Sequence, residues 1–71
     1  MKYDLKQIEA LVLEKAKKYG FELNEFGIRN IVFECFEFQE EGREVENQLD
    51  YIFDESIPDG SRSEYFEESV N

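Results

Sequence analysis

The chain has 71 residues and a formal net charge of −10, with 41% hydrophobic residues, 15% aromatic residues and no histidine. Chains this short rarely enclose a deep cleft, and the lack of histidine excludes Ser–His and Cys–His catalytic sites and ordinary His-based zinc sites. The apolar content excludes a simple disordered acidic tail. We therefore expect one folded domain over residues 1–71 that is not an enzyme and holds no cofactor.

The first predicted element is an amphipathic helix over residues 4–19. Asp4 suits the N-cap and Gln7 stands three residues later, which together form a capping-box pattern. Gly20 is typical of the residue that ends a helix. Apolar residues recur at helical spacing through the segment: Leu5, Ile8, Val12 and Tyr19.

Two β-strands are predicted to follow this helix. Residues 28–39 are β-branched and aromatic and contain no Ala, Leu, Met or Lys, a composition typical of a strand. Residues 43–54 carry apolar residues on one parity, and a hairpin turning at residues 40–43 would place both apolar sets on one face. Helix 4–19 would cover that face. The predicted fold class is α+β, with the N-terminal helix packed on a β-hairpin or small antiparallel sheet and a short C-terminal helix.

Residues 43–55 also fit a second interpretation. Val45, Leu49 and Ile52 have helical spacing, so a helix stays open as an alternative to the second strand. Further along, Pro58-Asp59-Gly60 predicts a turn. Ser61 and Glu64 form a second capping-box pattern, which predicts a short helix over residues 62–69.

The apolar side chains suggest self-association. Eleven aromatic residues are many for so small a monomer, and a homodimer would bury the surplus. Cys35 is the single cysteine and has phenylalanine neighbours, so we expect a small buried hydrophobe and no intrachain disulfide.

Charge is divided unevenly along the sequence. Residues 1–20 hold all five lysines against three acids, whereas residues 21–71 hold three arginines against 15 acids. A folded segment of this kind displays a dense anionic surface. Twelve acids form the predicted partner-binding site, some at helix or strand spacing and the others clustered near the predicted turn or further along the chain: Glu37, Glu40, Glu41, Glu44, Glu46, Asp50, Asp54, Glu55, Asp59, Glu64, Glu67 and Glu68.

Two other uses of these charges fit the sequence less well. Three of the lysines lie near the end of the first helix, where cations favour the helix dipole, and a chain of charge −10 is repelled by phosphates. We therefore expect no direct nucleic-acid binding. An EF-hand fails as well, because placing Asp59 and Gly60 at loop positions 5 and 6 puts Phe66 at position 12. No metal site is expected.

Carboxylates spaced on the scale of DNA phosphates can occupy the basic groove of a DNA-binding protein, because Lys and Arg bind both groups with similar charge-assisted bonds. In its size, its acidic stretch from Glu34 to Glu68 and its aromatic core, the chain resembles the small acidic DNA-mimic inhibitors. Many of these are phage proteins that serve host takeover by blocking nucleoid proteins, RNA polymerase, restriction or CRISPR nucleases, or repair glycosylases. The resemblance covers about two-thirds of the chain and carries no shared motif.

The resemblance implies a partner and a place of action. The expected partner is a basic DNA-binding protein, with a bacterial nucleoid protein such as HU as the best guess and RNA polymerase or a nuclease as alternatives. The chain lacks the apolar run of a signal peptide or membrane span, so we expect a cytoplasmic location, in the bacterial host if the protein is phage-encoded. The alternative function is a small interaction or adaptor protein that uses an apolar patch, its acidity serving solubility.

Overall fold

The structure is a computed structural model that describes residues 2–60 and 62–66. Three helices account for most of this part of the chain, followed by two short turns of other helical types. In order they are α1 (Leu5–Tyr19), α2 (Glu25–Glu40), α3 (Val45–Tyr51), a π-helical turn (Ile52–Ser56) that continues α3, and a 3-10 turn (Ser63–Tyr65). In the described ranges the β-structure is limited to one isolated bridge between Leu23 and Phe66. The predicted α+β class is therefore wrong, and the fold is all-helical.

The prediction for α1 is confirmed at both ends. The backbone N–H of Gln7 donates to the Asp4 carboxylate over 2.8 Å, and the Gln7 side chain accepts from the Asp4 N–H over 2.9 Å. Gly20 ends the helix in the left-handed conformation at φ +81°, which glycine adopts without a steric penalty. Ile8, Val12 and Ala16 are buried on the face that packs against the other helices.

The predicted first strand is helix α2. Asn24 caps the helix by accepting a hydrogen bond from the Gly27 N–H over 2.7 Å. The buried side chains between residues 28 and 39 recur three and four positions apart, which is a helical period. Burial of this face outweighs the β-propensity of the individual residues. The residues are Ile31, Val32, Cys35 and Gln39.

The predicted second strand is helical as well, as the alternative interpretation of residues 43–55 proposed. The predicted turn at residues 40–43 is present, with Gly42 at φ +88°, but it joins two helices. Tyr51, which the strand pattern placed towards the core, is instead 53% exposed. The inward residues of α3 and its π-helical continuation are Val45, Leu49, Ile52 and Phe53.

The C-terminal segment packs on α2. The predicted turn at residues 58–60 is present, but the helix predicted over residues 62–69 is replaced by the 3-10 turn Ser63–Tyr65, while Ser61 and residues 67–69 lie outside the described part. The Asn24 N–H donates to the Tyr65 carbonyl over 2.7 Å. Arg62 donates to both oxygens of Glu34, at 2.9 and 3.1 Å. These contacts hold residues 62–66 against α2 between its N-cap and Glu34.

Candidate acidic interface

Ten of the twelve acids predicted to form the binding site lie in the described ranges; Glu67 and Glu68 lie outside them. Nine of the ten are exposed and Asp50 is half-buried. They are distributed over the second half of α2, the turn after it, α3 and the segments that follow. Their contacts divide them into groups with different roles.

One group of three acids lies at the contact between α3 and α1. The acids lie four residues apart on α3 and its π-helical continuation, on the side that faces α1: Glu46, Asp50 and Asp54. The Tyr3 hydroxyl donates to the first over 3.2 Å, and Lys15 forms an ion pair with the second. The Tyr19 hydroxyl bonds to the third, and this bond raises the pKa of that hydroxyl. These three carboxylates join α3 to α1, so we assign them to the fold and not to a binding surface.

Two further acids have weaker internal partners. Glu40 lies 3.4 Å from the Lys2 ammonium, and both side chains are more than half exposed, so the pair contributes little to stability. Glu44 accepts a hydrogen bond from Asn47, three residues further on, over 3.2 Å. Both carboxylates stay open to solvent and can exchange these partners for others.

The remaining five acids are exposed. Their side chains form no hydrogen bond or ion pair with any other described residue: Glu37, Glu41, Glu55, Asp59 and Glu64.

A side-chain hydrogen bond between α2 and α3 is the reference point for locating the exposed acids on these helices. Gln48 of α3 donates to Glu34 of α2 over 3.1 Å, so these two positions mark where the helices adjoin. Glu37 lies one turn beyond Glu34 on α2, and Glu41 lies two turns beyond it, at the C-cap. Glu44, the N-cap of α3, lies one turn before Gln48, and Glu55 of the π-helical turn lies two turns after it, on the same side. Asp59 lines a depression together with Glu55. We define the acidic face as Glu37, Glu41, Glu44, Glu55 and Asp59.

An exposed tyrosine lies within the acidic face. Tyr51 is seven residues after Glu44 and four before Glu55, and it lines a shallow depression together with Glu55 and Asp59. Exposed tyrosines are common at the centre of protein interfaces. Sequence reasoning missed Tyr51 because the strand pattern directed it inward. The helical alternative for residues 43–55 carried the signal that would have placed it outward.

Cations near the acidic face are few in the described ranges. The Arg43 guanidinium lies over the Phe38 ring, 4.7 Å from its centroid, and Arg62 is held by Glu34 in the groove between α2 and the C-terminal segment. The last turn of α2 contains no basic residue and ends in Glu40, followed by Glu41. Acids at a helix C-terminus oppose the helix dipole and destabilise the helix.

A second surface is apolar and lies along the outer contact of α1 with α2. Leu5 and Leu13 are 44% and 45% exposed and lie on one edge of α1 with Glu9 between them. Glu9 shares a depression with Ile28, Arg29 and Val32 of α2, and Leu13 lines a neighbouring one with Phe21 and Leu23. We define the α1/α2 seam as Leu5, Glu9, Leu13, Ile28, Arg29 and Val32.

Cys35 is fully buried, as predicted, and burial raises the pKa of its thiol to about 12. A thiol this hard to ionise is a poor nucleophile. Within residues 2–60 and 62–66, no group of three or more acidic or cysteine side chains is arranged to hold a metal ion. In the same ranges, every helix is too short or too polar to cross a membrane.

Comparison with protein-family models finds no match for this chain, and comparisons with curated proteins and with solved structures find no significant relative.

Proposed function

We propose that this chain is a DNA-mimic inhibitor that binds the DNA-binding surface of a basic protein and blocks it. The observation that carries the proposal is the acidic face, whose carboxylates have few internal partners, although acids elsewhere in the chain are used to join helices. Free carboxylates on one side of a folded domain are available to lysine and arginine side chains of a partner.

The placement of the acids supports this function over solubility alone. Solubility requires net charge but no particular position. Glu41 directly follows the last residue of α2, where it opposes the helix dipole and no basic residue lies within the last turn of the helix. Acids kept where they destabilise the helix are more simply explained by a partner that binds them.

The spacing of the acids is compatible with a phosphate backbone. Neighbours three or four residues apart on a helix lie about 5–6 Å from each other, and Glu37 and Glu41 are four residues apart at the end of α2. Adjacent phosphates on a DNA strand are several ångströms apart, with one charge per roughly 1.7 Å of duplex axis. A groove that accepts successive phosphates can therefore accept successive carboxylates of the acidic face.

Proteins that bind the DNA backbone with little base specificity are the most suitable partners, because a charge mimic need not copy base edges. A bacterial nucleoid protein such as HU is the best single candidate, with RNA polymerase and restriction or CRISPR nucleases as alternatives. The site of action under this proposal is the bacterial cytoplasm, reached during host takeover if the protein is phage-encoded.

A competition assay tests the proposal. Purified HU bound to fluorescent DNA is titrated with the wild-type chain and with a variant in which four acids of the face are replaced by glutamine: Glu37, Glu41, Glu44 and Glu55. At about 0.5 kcal/mol for each exposed charge pair, the four together are worth about 2 kcal/mol. The variant should then compete roughly 30-fold less well than wild type.

The matched control replaces four acids that lie outside both the acidic face and the residues defining the α1/α2 seam, which gives the same net charge: Glu14, Glu22, Glu25 and Glu64. This control should compete nearly as well as wild type. Equal losses in both variants would show that only net charge matters and would contradict the assignment of the face. If HU is not displaced at all, a pull-down from nuclease-treated bacterial lysate at low and high salt identifies or rejects another basic partner.

The α1/α2 seam favours a second candidate, an interaction protein that binds through apolar contacts. Its partner would persist at high salt and would be lost on substitution of Leu13, and both results are the reverse of those expected for a charge mimic.

A further inference from the structure

Within residues 2–60 and 62–66, no further helix packs over the α1/α2 seam. α3 packs on the other side of the α1–α2 pair, where it buries Val45 and Leu49. On the seam side, Leu5 and Leu13 stay nearly half exposed at positions eight residues apart on α1. Two adjacent depressions extend the apolar surface across to α2 and to Phe21. The seam is therefore a partly apolar surface that spans α1 and α2.

Charge distinguishes this surface from the acidic face. The depressions on the seam are lined by both signs, with Lys17 and Arg29 against Glu9, Glu22 and Glu25. The acidic face, by contrast, consists of five carboxylates. Two copies of a chain with a net charge of −10 repel each other, and the repulsion is smallest where the charges nearly balance.

We propose that the α1/α2 seam is the interface of a two-fold symmetric homodimer. A two-fold contact brings the same patch of both subunits together, so a patch carrying both signs is complementary to itself. Arg29 pairs only weakly with Glu25 within its own helix, at 3.9 Å with side chains 68% and 90% exposed. It is thus free to bind an acid across the interface, while Leu5 and Leu13 bury their exposed surface against the partner copy.

The geometry gives the dimer a defined arrangement. The seam lies on the side of the α1–α2 pair away from α3, so α3 and its part of the acidic face point outward in both subunits. The inference does not depend on DNA mimicry, because it rests on packing and charge balance alone.

Sedimentation-velocity centrifugation over a concentration series tests the dimer. Wild type should sediment as a dimer and Leu13→Lys as a monomer, because two-fold symmetry buries the introduced charge twice. For an interface residue of this kind, we expect the affinity of dimerisation to fall by more than about tenfold. The matched control is Tyr51→Lys, which changes an equally exposed side chain off the seam. This variant should stay dimeric.

The effect of salt on dimerisation is a second test, and we expect it to be opposite to the effect of salt on binding to a basic partner. Added NaCl screens repulsion between the two copies and should strengthen the dimer, whereas it weakens the binding of a charge mimic to its target. Leu5→Lys repeats the test in the first turn of α1, and circular dichroism establishes that each variant is folded. A monomeric wild type overturns the proposal, as does a dimer that survives both leucine substitutions or is lost in Tyr51→Lys.

Discussion

Replacing Gly27 by alanine is the sharpest test of how the C-terminal segment packs on α2. A Cβ atom at this position would lie 2.6 Å from the Tyr65 Cβ and 2.7 Å from the Tyr65 carbonyl oxygen. The carbonyl cannot simply move away, since it accepts the 2.7 Å hydrogen bond from the Asn24 N–H. Either residues 62–66 shift off the helix or α2 distorts at its first turn.

Two opposing effects set the size of the change. Alanine is favoured over glycine inside a helix by about 1 kcal/mol. Against this, overpacking costs about 1–3 kcal/mol, the lost hydrogen bond about 1 kcal/mol, and partial exposure of the buried Tyr65 ring about 1 kcal/mol more. We therefore expect Gly27→Ala to lower the free energy of unfolding by about 2–4 kcal/mol, so the clash outweighs helix propensity.

Urea denaturation followed by circular dichroism measures this change. Glu37→Ala, on the exposed face of the same helix, is the control and should alter stability by less than about 0.5 kcal/mol. Trypsin provides a local readout, because release of residues 62–66 exposes the peptide bond after Arg62. Cleavage there should be faster in Gly27→Ala than in wild type under native conditions.

A Gly27→Ala variant as stable as wild type, or more stable, would refute the reasoning. It would mean that helix propensity dominates and that Tyr65 does not pack against Gly27 in solution. Unchanged trypsin cleavage after Arg62 together with a large loss of stability would instead indicate that α2, not the C-terminal segment, absorbs the clash.

Four further predictions concern three individual side chains and the net charge of the chain. Burial raises the pKa of the Cys35 thiol from about 9 to about 12, so between these pH values only the unfolded state loses this proton. The free energy of unfolding should therefore fall as pH rises from about 9 towards 12. Urea titrations at several pH values should show that Cys35→Ala removes this contribution to the pH dependence. Lys15→Ala should destabilise by about 1 kcal/mol through loss of the Asp50 ion pair, and Lys17→Ala by much less, as compared by thermal denaturation. Asp4→Ala should lower helix content and cost about 1 kcal/mol by removing the N-cap. Finally, NaCl should raise the wild-type Tm, because it screens self-repulsion at a net charge of −10; an unchanged Tm would contradict this.

Local signals in the sequence were sufficient for α1 and for the turns. The capping box, the apolar spacing and Gly20 all act within a few residues of each other, so no knowledge of the tertiary structure is needed to interpret them. The burial of Cys35 was also correctly predicted from its aromatic neighbours. These features are local, and they agree with one another.

The strand prediction for residues 28–39 was wrong because the residue composition was given more weight than the spacing of the apolar residues. Phe33 and Phe38 suggested a strand, yet Phe33 is 53% exposed and lies outside the core cluster. Ile28, Ile31, Val32 and Cys35 lie three and four residues apart, which is the stronger evidence for a helix. β-Propensity spans only about 1 kcal/mol and depends on context, so burial of a continuous helical face outweighs it.

The division of the acids by role was not accessible from the sequence. Glu46, Asp50 and Asp54 looked like surface charges, and only the packing of α3 against α1 brings them to tyrosine and lysine donors. Glu34 was likewise left out of the predicted site, and its bond to Arg62 depends on residues far apart in the chain. Charge density is visible in a sequence, whereas the partner of each charge depends on the tertiary fold.

The connection of three helices by tight turns has a kinetic consequence. The turn between α1 and α2 has five residues and the turn between α2 and α3 has four, so most of the packing joins segments that are neighbours along the chain. Helical domains with such local contacts fold within microseconds to milliseconds, far faster than a ribosome adds residues. Every copy should therefore be folded almost as soon as it is released. For a protein that acts by one-to-one occupancy, the onset of its effect would then be set by the rate of its synthesis.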